Sequence, residues 1–260
     1  MLWLQKTPSN DRDWNRDNSV LPRIHVDGDN VRVEGLRCFR YRTTRDYDAA
    51  WCDRSYRLST LTRLDFLVSP FNLVKGWRYE GGKAHTFVSF GFGDEQLAVS
   101  IEVRRVAGDR FSAVRGLFRA FELIYVFGDE SDVVGVRTHA QGATVYLFPV
   151  AITPDKVRAL FLDMAGRANR LYDQPEFYNT LTNTCTTNLV RHVNTITPGR
   201  IPMGLPVLLP GYSPRQLYRL GLLDTDLPLA QTMQRCRIDP LAVGSPLEPG
   251  FSRRLRTGRG

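Results

Sequence analysis

"KAHTFVSFGFGDEQLAVSIEVRR", residues 83–105, is the stretch whose reading decides the fold. From His85 to Phe92 apolar and polar residues alternate, and the run closes on Gly91 and Gly93. After the Gly93-Asp94-Glu95 turn the alternation resumes. It puts Leu97, Val99, Ile101 and Val103 on one face and Ala98, Ser100, Glu102 and Arg104 on the other. A period of two across so short a connection specifies an antiparallel hairpin. The first strand opens on a histidine, which is either a packed structural residue or a base that needs a nucleophile elsewhere.

Outward from this hairpin the same period recurs. Residues 25–43 alternate around Asp27-Gly28-Asp29, which is hairpin chemistry because glycine takes the positive φ a tight turn needs. "LTRLDFLVSPF" (61–71), "FELIYVFG" (121–128), "VVGVRTHA" (133–140) and "ATVYLFPV" (143–150) read as further strands. The period then lengthens. Thr153-Pro154-Asp155 is a helix start, and Val157, Leu160, Phe161, Met164, Ala165, Ala168 and Leu171 follow on one face. A second helix is expected to begin near Thr184, and a short one over 214–223. The Pro- and Gly-rich residues 198–211 are expected to be an irregular loop. The predicted class is α+β, an antiparallel sheet packed against helices. The expected division is an extended arm over 1–24, a single domain over 25–245 and a flexible basic tail over 246–260.

Composition narrows the function. At 260 residues, with 42% hydrophobic and 24% charged side chains, the chain can bury a real core. No window approaches the roughly 20 apolar residues of a membrane span, and the "MLWL" start falls short of a signal-peptide core of about 7–15 residues. As written the chain reads as soluble, or as the water-soluble part of a protein whose anchor lies upstream. The net charge of +8 suits anionic surfaces, but no aromatic-plus-basic pattern points to specific nucleic-acid binding. None of Cys38, Cys52, Cys185 and Cys236 forms a CxxC pair, so neither a zinc site nor a cofactor is expected. A Cys38–Cys52 bridge stays open in an oxidising compartment. There is no GxSxG elbow, Walker loop or HExxH motif.

Cys185 lies where the second helix begins, with Asn183 or Thr184 as cap. A thiol there feels the positive end of the helix dipole and the unpaired first amides, and both favour thiolate. An imidazole beside it would take the thiol proton. The plain alternative is a small buried cysteine and a structural histidine. If the pair is catalytic, Ser100 and Glu102 are placed to orient His85 from the neighbouring strand. Glu102 can equally pair with Arg104 or Arg137. Glu122, an acid in an apolar run, needs a partner if buried. His192 reads as solvated or packed, and His25 and His139 as ordinary hairpin residues.

"AHTFVSFGF" (84–92), "LAVSIEVRR" (97–105), "FELIYVFGDESDVVGVRT" (121–138), "VYLFPV" (145–150) and "YNTLTNTCTTNLVRHVN" (178–194), in this order, resemble the Lnb N-terminal periplasmic domain family. The resemblance runs from "SNDRDW" (9–14) to the mid-190s. It implies a permuted papain-like, NlpC-type fold in which the histidine precedes the cysteine, as in lecithin–retinol-type acyltransferases. It implies Cys185 as nucleophile and His85 as base. The usual "NNC" is here Asn183-Thr184-Cys185, and a threonine can still cap a helix. The implied activity is a cysteine acyltransferase at the periplasmic face of the bacterial inner membrane, acting on phospholipid or lipoprotein. Lipoprotein N-acylation through an acyl-cysteine thioester is the form it suggests. The oxyanion would rest on the Cys185 N–H and on Asn183 or Tyr178. Membrane helices common in the family before the "SNDRDW" region have no counterpart here. Two other readings stand: a peptidase or amidase using the same pair, and a binding module with an unreactive Cys185. The apolar stretch 201–212 leans toward lipid.

Overall fold

The computed structural model describes residues 7–71, 82–242 and 250–257. The "MLWL" start and tail residues 246–249 and 258–260 lie outside them. The strands are β1 (Arg23–Asp27), β2 (Asn30–Arg37), β3 (Arg40–Tyr41), β4 (Tyr47–Asp48), β5 (Trp51–Arg57), β6 (Leu61–Pro70), β7 (Ala84–Phe92), β8 (Glu95–Arg104), β9 (Glu122–Asp129) and β10 (Tyr146–Pro149). The helices are α1 (Glu130–Val133), α2 (Pro154–Asp173), α3 (Cys185–Ile196), α4 (Leu205–Leu208), α5 (Ser213–Arg219), α6 (Leu229–Arg235) and α7 (Phe251–Thr257). One sheet runs in the order β1-β2-β9-β8-β7-β6-β10, with β5 also paired to β2. Its pairs are antiparallel except for a single parallel bridge between Arg37 of β2 and Gly128 of β9. The molecule is α+β, as the hydrophobic periods predict.

The β7–β8 hairpin lies in the middle of this sheet, in register with Phe87 opposite Ser100 and Phe92 opposite Glu95. Gly93 takes φ 60° in the turn, a region that favours glycine. Both faces of the hairpin are covered, so its alternation divides two cores rather than core from solvent. Val88, Phe90 and Phe92 join the core under α2 and α3, where the rings of Phe90 and Phe92 meet Phe161 edge-on. Phe87 and Ala98 join a second core with Val133, Leu147, Ile238, Phe251 and Leu255. The seven apolar positions predicted for α2 are the seven it buries.

Three sequence expectations are corrected. Residues 133–140 are not a strand: the chain forms α1 and then a π-turn over Val136–Ala140. Arg137 explains this, because its guanidinium returns to the Val133 carbonyl and to Glu102, a geometry that a strand could not provide. The expected loop over 198–211 contains α4 and a single turn from Pro210 to Tyr212. The expected loose tail contains α7, whose Phe251 and Leu255 are buried. Its Arg256 bridges Asp65 (2.7 Å) and Glu130 (2.6 Å), two carboxylates from distant parts of the chain. The arm is extended but docked: Trp14 is buried and bridges Val106, and Ser9 N–H donates to Glu122. Cys38 and Cys52 form a disulfide. Among the described residues no helix is long and apolar enough to cross a membrane.

Candidate active site

α3 begins at Cys185 because Thr184 caps it. Thr184 Oγ1 accepts from the Thr187 N–H (3.2 Å), and the Thr187 hydroxyl accepts from the Thr184 N–H (2.7 Å). This reciprocal box satisfies two amides that a helix start leaves over. It holds the thiol in the first turn, at the positive end of the helix. The start of β7 comes to the same point. The hydroxyls of Thr86 and Thr186 join strand to helix at 3.0 Å, both buried. Across that junction the His85 side chain and the Thr86 backbone N–H both hydrogen-bond the Cys185 sulfur. Thr186 Oγ1 lies 3.7 Å from it.

The other side of the imidazole is fixed as well. His85 Nε2 lies 2.7 Å from Ser100 Oγ, and the Ser100 hydroxyl donates to Glu102 Oε1 at 2.8 Å. Arg137 Nη2 donates to the same carboxylate oxygen at 3.0 Å. Because the Ser100 proton goes to Glu102, Ser100 can only accept from His85, so Nε2 carries the proton. That leaves the Nδ1 lone pair for the thiol. The direct His85–Glu102 distance is 3.9 Å, too long for a hydrogen bond. The acid therefore acts through the serine. Its two candidate partners are resolved: Glu102 binds Arg137, while Arg104 goes to Asn18, Asn10 and Ser19. Phe87 stacks under the imidazole at 5.4 Å, and the Arg137 guanidinium covers the far side of the site 4.6 Å from the Phe87 ring.

The charges follow from these contacts. Burial pushes the Cys185 thiol up, but the His85 hydrogen bond, the His85 charge and the Thr86 N–H outweigh it and bring the thiol from 9.0 down to about 6. At pH 7 that favours the thiolate. Burial likewise works against ionisation of Glu102, yet Arg137, Arg37 and His85 hold it well below the usual carboxylate range. Arg37 is itself locked in a buried pair with Asp132 (2.8 Å).

The structure thus brings Cys185, His85, Ser100 and Glu102 together. Tyr178 is buried, and its phenol is raised by burial and by the charge of Cys185, so its hydroxyl stays protonated. Asn183 serves the approach to α3. Its amide donates to Phe177 O (2.9 Å) and accepts from Asn188 (2.8 Å), which braces the turn ahead of the cysteine. Glu122 is elsewhere, buried against Arg12 and Ser9. His192 is packed, and His25 is an exposed partner of Glu34. Thr86, Thr186, Phe87 and Asn188 were missed. Thr86 acts through its backbone, and side-chain chemistry gives no sign of that.

The fold and this site define a class of α+β protein with a hydrogen-bonded thiol and imidazole at the junction of a central strand and a helix start. A family model described as the Lnb N-terminal periplasmic domain matches residues 47–211, more than half of the chain. The chain belongs to that family of periplasmic domains. No curated protein and no solved structure matches it.

Proposed function

We propose that this domain is a thiol acyltransferase of permuted papain-like architecture. Its substrate would be a phospholipid or lipoprotein at the periplasmic face of the inner membrane. The observation that carries the reading is the Cys185–His85 hydrogen bond at the first turn of α3, with His85 locked from behind by Ser100 and Glu102. An immobilised imidazole with a defined tautomer beside a low-pKa thiol is the arrangement nucleophilic acyl transfer needs.

His85 Nδ1 takes the Cys185 proton, and the thiolate attacks the carbonyl carbon of an acyl ester. The oxyanion is met by the Cys185 N–H, one of the helix amides that lack an internal acceptor, and by the Tyr178 hydroxyl. The C–O bond breaks, His85 returns its proton to the leaving alcohol, and the acyl group remains as a thioester. An amine then attacks the thioester. His85 takes one amine proton, the C–S bond breaks, and an amide and the free thiol result. Water in place of the amine gives hydrolysis by the same residues.

Incubation with phospholipid or a diacylated lipopeptide, followed by intact-mass analysis, tests this. The expected result is an acyl adduct on Cys185, discharged by an amine-bearing peptide and absent in Cys185→Ala and His85→Ala. Discharge by water alone would make the protein a hydrolase. No adduct with any ester would leave a binding module.

A further inference from the structure

The connection between β8 and β9 carries an apolar surface that the site chemistry does not use. Phe111, Val114, Leu117 and Phe118 are 48%, 67%, 38% and 59% exposed, and Leu181 beside them is 55% exposed. Single exposed apolar side chains are ordinary, but four between 111 and 118, with Leu181 next to the Thr180 that is bonded to this connection, are a concentration. The backbone beneath them is held in place. Thr180 donates its N–H to Gly116 O (3.3 Å) and its hydroxyl to Ala113 O (2.7 Å). Gly116 is buried so tightly against Thr180 and Tyr178 that a Cβ there would collide. The Phe111 ring rests on Phe121 (5.6 Å) and edge-on to Tyr178 (6.2 Å). The apolar side chains are therefore presented outward from a fixed knuckle. Thr180 and Leu181, which tie this connection down and extend its apolar surface, lie five and four residues ahead of Cys185 in the chain.

The charge around the patch is one-sided. Asp109, the acid on this segment, is taken by Arg115 at 3.1 Å. Arg110 and Arg119 are exposed and form no ion pair among the described residues. Arg119 also holds a left-handed backbone, φ 53°, that non-glycine residues rarely adopt. With Arg191 it borders a 570 Å³ groove that runs past Phe177, Tyr178 and Asn183 toward the start of α3. Glu176, also on this groove, is bound by Arg167. An apolar centre edged by unpaired guanidinium groups is complementary to a bilayer, where acyl chains lie beneath anionic phosphates.

We propose that the knuckle over residues 111–119, with Leu181, is a docking surface for an anionic lipid bilayer. It inserts its apolar side chains at headgroup depth while Arg110 and Arg119 meet lipid phosphates. That this brings the bilayer to the Cys185 thiol rests on the acyl-transfer reading. The docking itself does not.

Co-sedimentation with phosphatidylcholine vesicles, with and without phosphatidylglycerol, tests the surface. The protein and its Cys185→Ala variant are expected to bind the anionic vesicles equally and to release at high salt. The Val114→Ser/Phe118→Ser double variant alters the two most exposed positions, and circular dichroism checks that it is folded. It is expected to bind at least about tenfold more weakly. Arg119→Gln is expected to cost about fivefold. Met203→Ser/Leu205→Ser, on a separate exposed patch, is expected to bind normally. No binding to anionic vesicles, or undiminished binding by the double variant, overturns the proposal. So does a loss that follows Met203 and Leu205 instead. A dimer in solution that the double variant dissociates, without vesicle binding, would assign the face to a second copy and also overturn it. Vesicle binding without acyl transfer would contradict the acyltransferase reading and leave the surface standing.

Discussion

Two histidines in this molecule are each held between two partners, and only one of them is placed for chemistry. His192 sits mid-helix in α3, with Nδ1 2.6 Å from Asp163 and Nε2 2.7 Å from the Tyr125 hydroxyl. His85 opens β7, with Nε2 on Ser100 and its side chain hydrogen-bonded to Cys185. By partner type alone, the Asp163–His192–Tyr125 chain resembles a catalytic triad more than the second set does. The environments separate them. Burial raises the Tyr125 phenol and lowers the His192 imidazole, so both stay neutral inside the core, and only Asp163 is partly exposed. The Cys185 thiol is lowered in spite of burial, because the His85 hydrogen bond, the His85 charge and the Thr86 N–H converge on one sulfur. A carboxylate and a histidine make a site only where the third group is stabilised as an anion and remains within reach of substrate.

The sharpest way to break this comparison is to remove each histidine in turn. His85→Ala is expected to lower Cys185 alkylation at pH 6 by about a hundredfold, because the thiol returns toward its ordinary range. His192→Gln is expected to leave that rate within about twofold, read by the same iodoacetamide kinetics. Next in size, Glu102→Gln is expected to reduce acyl-adduct formation by about 10–100-fold while Cys185 remains present and folded. The neutral amide can donate to Ser100, which would reverse the relay and offer His85 a proton where it now finds an acceptor. Ser100→Ala, which deletes the link without reversing it, is expected to cost about tenfold in the same assay. The smallest functional effect belongs to the second network. His192→Gln or Asp163→Asn is expected to destabilise the fold by about 1–3 kcal/mol in urea titrations, with activity per folded molecule unchanged.

Much of this was legible in the sequence where local chemistry and tertiary structure agree. The hairpin over 83–105 and the face of α2 follow from strict periods, and both are deeply buried. Cys185 and His85 were readable because a threonine cap and a strand start are local signals, and Ser100 and Glu102 because alternation puts them on one face. What failed depends on distant partners. The basic composition of 246–260 looked solvated, yet Phe251 and Leu255 are one helical turn apart and Arg256 finds carboxylates at 65 and 130. The apolar run at 133–140 looked like a strand, yet it folds into α1 and a π-turn, and that turn selects Arg137 over Arg104 as the partner of Glu102. Four cysteines left the Cys38–Cys52 pairing open, and only the approach of β2 and β5 joins them.

The central claim is that Cys185 and His85 form a thiolate–imidazole pair. Iodoacetamide labelling of Cys185 from pH 5 to 9, in the protein and in His85→Ala, tests it most directly. The thiolate fraction rises as pH passes upward through the thiol pKa and falls as the proton returns below it. The account predicts a midpoint near 6 in the protein and a shift toward the ordinary thiol range, about 8.5, in His85→Ala. Superimposable profiles with midpoints in that ordinary range would contradict it.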